Sequence, residues 1–175
     1  MSSYAEAVKT QFKSAKTTIL VLIFTVARIV YGLAWLKSGI GKAGTWLSDG
    51  KLNSAGKINT LVTNIAGEKV TSFDPLYLNK LFGWIAQHIF LSMPAFTDFL
   101  VVTFEILVGV LMILGFRVFW GALIAIFMNI QFIAAGSFNN FGYIWTNIIL
   151  MNFAKYAEVI GIDGYLKARK GKSLT

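Results

Sequence analysis

From Val118 to Ala154 the chain carries no charged side chain. Crossing a bilayer core takes about 20 mostly apolar residues, so this run is too long for one ordinary span. Two shorter apolar segments precede it, Thr17–Ile40 and Thr97–Phe116. Composition points the same way: 56% of residues are hydrophobic and 14% are charged, against about 25% charged in soluble domains. The sequence predicts an all-α integral membrane protein folded as one domain over residues 1–175.

The long run breaks at its middle. AAGSFNNFG combines the small, Gly and Asn residues that form turns. It reads as a hairpin between a third span, about 118–136, and a fourth, about 140–162. The second and third spans join very tightly around Gly115–Arg117. The expectation is a four-helix membrane bundle with spans at about 17–40, 97–116, 118–136 and 140–162, and a long outer loop, 41–96.

That loop has features of its own. DPLYLNKLFGWIAQHIFLSMP opens with Asp74 as N-cap and Pro75 at the first helical position. It predicts a short amphipathic helix in the outer interface or over the bundle mouth. LNSAGKINTLVTNIAGEKV before it fits a short helix or a hairpin.

The formal net charge is +8. In a soluble protein this would suggest nucleic acid. Here the basic residues cluster at membrane flanks, where they set topology and meet anionic lipid. Lys9, Lys13, Lys16, Arg117, Lys167, Arg169, Lys170 and Lys172 share one side if four spans are present. That predicts a multi-pass protein of the cell membrane with both termini cytoplasmic. The apolar run after the N-terminal lysines is too long for a signal peptide's core and predicts a retained signal anchor.

There is no cysteine and one histidine, His88. This excludes disulfides, thiolate nucleophiles, iron–sulfur clusters and bis-histidine haem held by this chain alone. Redox work would need a diffusible cofactor such as quinone, or a partner subunit. No metal and no haem are expected.

Two charges interrupt the apolar segments. Arg28 sits near the middle of the first, where a guanidinium costs roughly 2.5–3.5 kcal/mol on insertion scales. Glu105 is alone in the middle of the second. Counting residues from the span ends places both at similar depth, which makes Glu105 the candidate partner of Arg28. Such a pair either fixes helix registry or forms a site for a head group, a quinone carbonyl, an anion or a proton route.

Helical spacing extends both positions into stripes. Arg28, Gly32, Trp35, Gly39 and Lys42 share a face of the first span. Asp98, Glu105, Gly109 and Met112 share one on the second, and Asn140, Asn147, Met151 and Glu158 share one on the fourth. Asn129, Gln131, Asn147 and Asn152 add uncharged polar groups, either interhelical bonds or part of a polar interior. His88 is an interfacial residue or a proton donor or acceptor near the outer mouth. Lys37, Lys42, Lys51 and Lys57 make that mouth basic, either as solvated loop residues or as a collector of anions.

The stripe Arg28-x3-Gly-x2-Trp-x3-Gly-x2-Lys42 resembles the first helix of the DoxX/DoxD family. FEILVGVLMILGFRVFWGAL resembles that family's Glu-x3-Gly helix and tight turn, and SFNNFGYIWTN resembles the DoxD branch. The resemblance runs from about Thr17 to Ile162. It implies a four-helix membrane subunit of a thiosulfate:quinone oxidoreductase, coupling two thiosulfates to tetrathionate and reducing membrane quinone beside a second small subunit, DoxA. Conserved positions carry over as Arg28, Gly39, Lys42, Glu105 and Gly109. On that reading Arg28 and Glu105 are the catalytic candidates: Arg28 holds a sulfonate-like end and Glu105 relays protons. Trp35, Lys42, Asn129, Asn147 and His88 are candidates for substrate or quinone binding. The chain would meet lipid, quinone, thiosulfate and its partner subunit, in a homo- or hetero-oligomer. The alternative is a non-catalytic structural or quinone-binding subunit of a terminal quinol oxidase or another respiratory complex. A transporter fits less well, because the spans lack Pro-broken helices and inverted repeats.

Overall fold

The computed structural model describes residues 3–52, 54–66, 78–134 and 140–175, and among them every regular element is helical. In chain order these are α1 (Tyr4–Gln11), α2 (Ala15–Asp49), α3 (Ser54–Ala66), α4 (Leu78–Ile85), a π-helical turn (Ala86–Phe90), α5 (Pro94–Leu114), α6 (Val118–Ala134), α7 (Phe141–Asn152), α8 (Ala154–Ala157) and α9 (Ile162–Arg169). The expected Asp74–Pro75 helix start lies outside the described residues, as does the turn at 137–140 except for Asn140.

Two helices, α2 and α5, are long and apolar enough to cross a membrane. Nothing in α2 stops it at residue 40: the helix continues through KSGIGKAGTWLSD to Asp49. Gly50 then closes it at φ 70°, with its N–H on the Trp46 carbonyl at 2.9 Å. The outer loop therefore begins as helix. α5 starts with Pro94 in its first turn and ends at Gly115, φ 61°. There the Phe116 N–H reaches the Leu111 carbonyl at 3.0 Å, so Leu-Gly supplies the tight turn into α6.

α2 and α5 pack antiparallel and very close. A Cβ on Gly32 would stand 2.8 Å from the Met112 Cβ and 3.0 Å from Ile113; one on Gly109 would stand 2.7 Å from the Leu36 backbone nitrogen. Small residues permit this approach, as they do between membrane helices. α6 and the α7–α8 rod complete the packing. Tyr31 and Trp35, Val108 and Met112, Ala122 and Ala125, and Leu150 and Ala157 form one core.

The outward faces are apolar too. Ile23, Val26 and Val30 on α2, Val110 and Leu114 on α5, Trp120 and Leu123 on α6, and Trp145 and Ile149 on α7 are all exposed. A soluble monomer rarely exposes apolar patches beyond a few hundred Å². A surface of this kind suits contact with lipid.

The chain termini share one end of the molecule. α1 packs on α9, and the Tyr4 hydroxyl donates to the Val159 carbonyl at 2.9 Å. Leu174 is buried with Val21, Val159 and Ala168. At the opposite end α3, α4 and the π-helical turn pack through Ile58, Leu61 and Ala86. Of the two readings of the segment after Leu52, the helix is the one formed.

Candidate functional site

The packing contacts fix an axial register. Gly32 lies against Ile113, Gly109 against Leu36, and Gly39 against Ile106. Each step along α2 is one step back along α5, so Glu105 is level with Ile40 and Arg28 with the turn after α5. The two charges are separated by twelve steps of α2, about 18 Å at 1.5 Å per residue. The Arg28–Glu105 pair expected from span depth does not form. Equal depth requires Thr17 and Phe116 to be level, but the register sets Phe116 level with Ile29, twelve residues further along α2.

Glu105 pairs with Lys42 instead. The Lys42 ammonium donates to both carboxylate oxygens, at 2.7 and 2.8 Å, and to the Ser38 hydroxyl at 2.7 Å. Ser38 is four residues before Lys42 on the same face of α2, which brings it within reach. The Glu105 side chain is 2% exposed and that of Lys42 31%. All three ammonium hydrogens are engaged, and the pair is neutral as a unit.

This pair separates two cavities. The larger, about 440 Å³, is almost wholly apolar: Leu100, Phe104, Phe127 and Phe132 line it, and Lys42 and Gln131 are among its few polar groups. The Lys42 ammonium also stands 5.9 Å from the centre of the Phe132 ring, within cation–π range. The smaller cavity, about 130 Å³, lies on the Glu105 side and is bordered by Tyr31, Trp35, Ser38, Asn129 and Tyr143.

Arg28 is 2% exposed and has a different set of partners. Its Nε donates to the Ala157 carbonyl at 2.7 Å. Its terminal nitrogens donate to the carbonyls of Met112, Ile113 (2.7 Å) and Ile160. These oxygens belong to the last turn of α5 and to the end of the α7–α8 rod, where helices leave carbonyls unbonded. Four carbonyl oxygens around one guanidinium repel an anion. The bidentate sulfonate contact expected of Arg28 has no room in this arrangement.

The same end holds two carboxylates on the start of α6. Glu158 accepts from the Val118 N–H at 3.1 Å and pairs with Lys167 at 3.3 Å. Asp163 accepts from the Arg117 N–H at 2.6 Å, holding Arg117 at φ 52°. Carboxylates at a helix N-terminus satisfy its free N–H groups and its dipole.

The remaining sequence candidates fall in different places. Trp35 is buried, edge-on to Tyr31 at 6.2 Å and stacked near Phe132 at 6.5 Å. Asn129 and Asn147 are fully buried. Asn129 reaches the Tyr31 hydroxyl only at 3.4 Å, and its Oδ1 has no hydrogen-bond partner among the described residues. Gln131 borders the large cavity, whereas Asn152 is exposed and bonds the Ile148 carbonyl of its own helix. His88 is exposed, stacked on Trp84 at 4.9 Å with Nδ1 2.9 Å from the Trp84 carbonyl, and outside both cavity linings. Lys42, Glu105, Trp35 and Asn129 are thus brought together; Arg28 and His88 are not among them.

Sequence reading missed Tyr31, Ser38 and Phe132. Tyr31 and Ser38 flank Trp35 at helical spacing and were legible as an extension of the α2 stripe. Phe132 offers no such signal among its apolar neighbours. In comparisons with protein-family models, curated proteins and solved structures, nothing matches this chain.

Proposed function

We propose that this chain is a multi-pass membrane subunit of the DoxX/DoxD type, serving a thiosulfate:quinone oxidoreductase beside a DoxA-like partner. In this reading α2, α5, α6 and the α7–α8 rod all cross the bilayer, with both termini cytoplasmic. The apolar outward faces and the basic residues at the termini end support that placement.

One observation carries the activity: a buried Lys–Glu pair on the wall of an otherwise apolar cavity of about 440 Å³. Such a cavity suits a flat ring with a few polar atoms. The quinone ring stacks on Phe104 and Phe132, and Lys42 turns one N–H from Ser38 toward a ring carbonyl. Two thiosulfates lose two electrons and become tetrathionate; the quinone takes those electrons and two protons. Glu105 relays protons to the reduced oxygen, and Lys42 stabilises the negative charge that develops there. Exposed Lys51 lies toward the start of α5 and attracts the dianion. Arg28 holds helix ends together in this scheme and does not touch substrate.

A second reading has its own support. The Lys42 ammonium is satisfied by Glu105 and Ser38, and four of the five Arg28 N–H groups are taken by backbone carbonyls. Both would serve equally in a non-catalytic, structural or quinone-binding subunit of a respiratory complex. Thiosulfate-dependent quinone reduction by purified protein with its partner distinguishes the two. Loss of activity in both Lys42→Met and Glu105→Gln, with protein still in the membrane, supports the enzyme. Bound quinone without thiosulfate oxidation supports the second reading, and full activity in both variants rejects the catalytic roles.

A further inference from the structure

The small cavity has no place in the quinone scheme, yet a buried amide without a full set of partners borders it. Asn129 borders it, is 0% exposed, and keeps Oδ1 without a partner among the described residues. Asn147, also 0% exposed, makes no hydrogen bond of ordinary geometry with either amide atom, although it lies beside the Tyr31 hydroxyl. Leaving a buried polar group unsatisfied costs about 1–3 kcal/mol each. Buried amides that lack protein partners are met by ordered water wherever the site is polar and roomy. Both conditions hold: Tyr31, Glu105 and Asn129 face the space, and about 130 Å³ accommodates about four waters at roughly 30 Å³ each. The cavity opens between α2 and α7, past exposed Ala34, Ser38 and Tyr143.

We infer that this cavity is a water site: ordered waters bridge Asn129 and Tyr31 to the Glu105 carboxylate and reach the surface between α2 and α7. They give the Lys42–Glu105 pair an aqueous contact separate from the apolar cavity. Lys42 lines one cavity and Glu105 the other, so water meets the pair on the Glu105 side. This goes beyond the quinone reading and stands apart from it. A dry small cavity leaves the occupant of the large one untouched, and an empty large cavity leaves the water untouched.

Radiolytic hydroxyl-radical labelling of the full chain in lipid nanodiscs, read by mass spectrometry, tests it directly, because radicals form where water is. Tyr31 and Trp35, 6% and 7% exposed, are expected to label several-fold faster than Met112, which is 0% exposed in the same core. Asn129→Leu removes the polar wall and Ala34→Phe plugs the mouth from an exposed position; each should bring Tyr31 down to the level of Met112. If Tyr31 in the parent labels no faster than Met112, or keeps its labelling in both variants, the inference is overturned. The infrared carboxylate band of Glu105, assigned by difference from Glu105→Gln, reports the route. The shift it shows as the waters bonded to it become D2O should finish on mixing in the parent and slow several-fold in Ala34→Phe. Unchanged timing in that variant overturns the route.

Discussion

Arg28→Met removes the guanidinium while keeping an unbranched apolar side chain of similar reach. The four carbonyls it serves are not equal. Those of Met112 and Ala157 receive buried hydrogen bonds, whereas those of Ile113 and Ile160 are part-buried and within reach of water. Water can replace the arginine at the outer two. The inner two stay dry, and each buried unsatisfied acceptor costs about 1–3 kcal/mol. The expected destabilisation is therefore about 2–6 kcal/mol. Arg28→Lys should recover part of this, since an ammonium has three donors and no fork. Equilibrium unfolding of purified protein in mixed micelles, followed by helical circular dichroism, measures both variants. If Arg28→Met loses less than about 1 kcal/mol, the value of one ordinary hydrogen bond, the carbonyl-clamp argument is wrong. A stable Arg28 variant that lost only activity would return this residue to the chemistry.

Lys42→Met leaves the Glu105 carboxylate buried and unpaired, so it should cost about 3–5 kcal/mol; Lys42→Met with Glu105→Leu should recover most of it, measured in the same unfolding assay. Gly109→Ala drives a methyl to 2.7 Å from the Leu36 backbone and should lower stability by well over the roughly 1 kcal/mol of ordinary substitutions. Gly44→Ala has nothing within 4 Å and should add about 0.8–1 kcal/mol of helix propensity, seen as a higher unfolding midpoint. Asp163→Ala removes the acceptor of the Arg117 N–H and should cost about 0.5–2 kcal/mol, with a larger loss refuting its role as a simple cap.

The helices and their inward faces were legible because they depend on spacing within one segment. Arg28, Gly32, Trp35 and Gly39 recur at helical steps, and all four are buried. Leu114-Gly115 announced a helix end, and a left-handed glycine stands there. Pairing between segments was not legible, because it depends on how far one helix slides along another. That slide is set by Gly32, Gly39 and Gly109 against α5 and α2 backbone, which leaves α5 ending level with Tyr31, sixteen residues after α2 begins. Arg28's partners are backbone oxygens, which no side-chain spacing marks. His88 drew attention as a lone titratable group, but it stacks on an exposed tryptophan at the molecule's edge. Single-residue chemistry carries no information about convergence.

The charge arithmetic explains why the expected pair is unnecessary. A helix C-terminus acts as roughly −0.5 of an elementary charge. Arg28 bridges the ends of two rods, α5 and α7–α8, so about −1 of partial charge faces its +1. Glu158 lies close enough to add to the attraction. No carboxylate from the middle of α5 is needed to neutralise it. Glu105 is then free to hold Lys42, and this pair, unlike the guanidinium, stands between an apolar cavity and a polar one. The buried charges therefore differ in what surrounds them: Arg28 ties helix ends together through backbone carbonyls, and the Lys42–Glu105 pair borders the cavities.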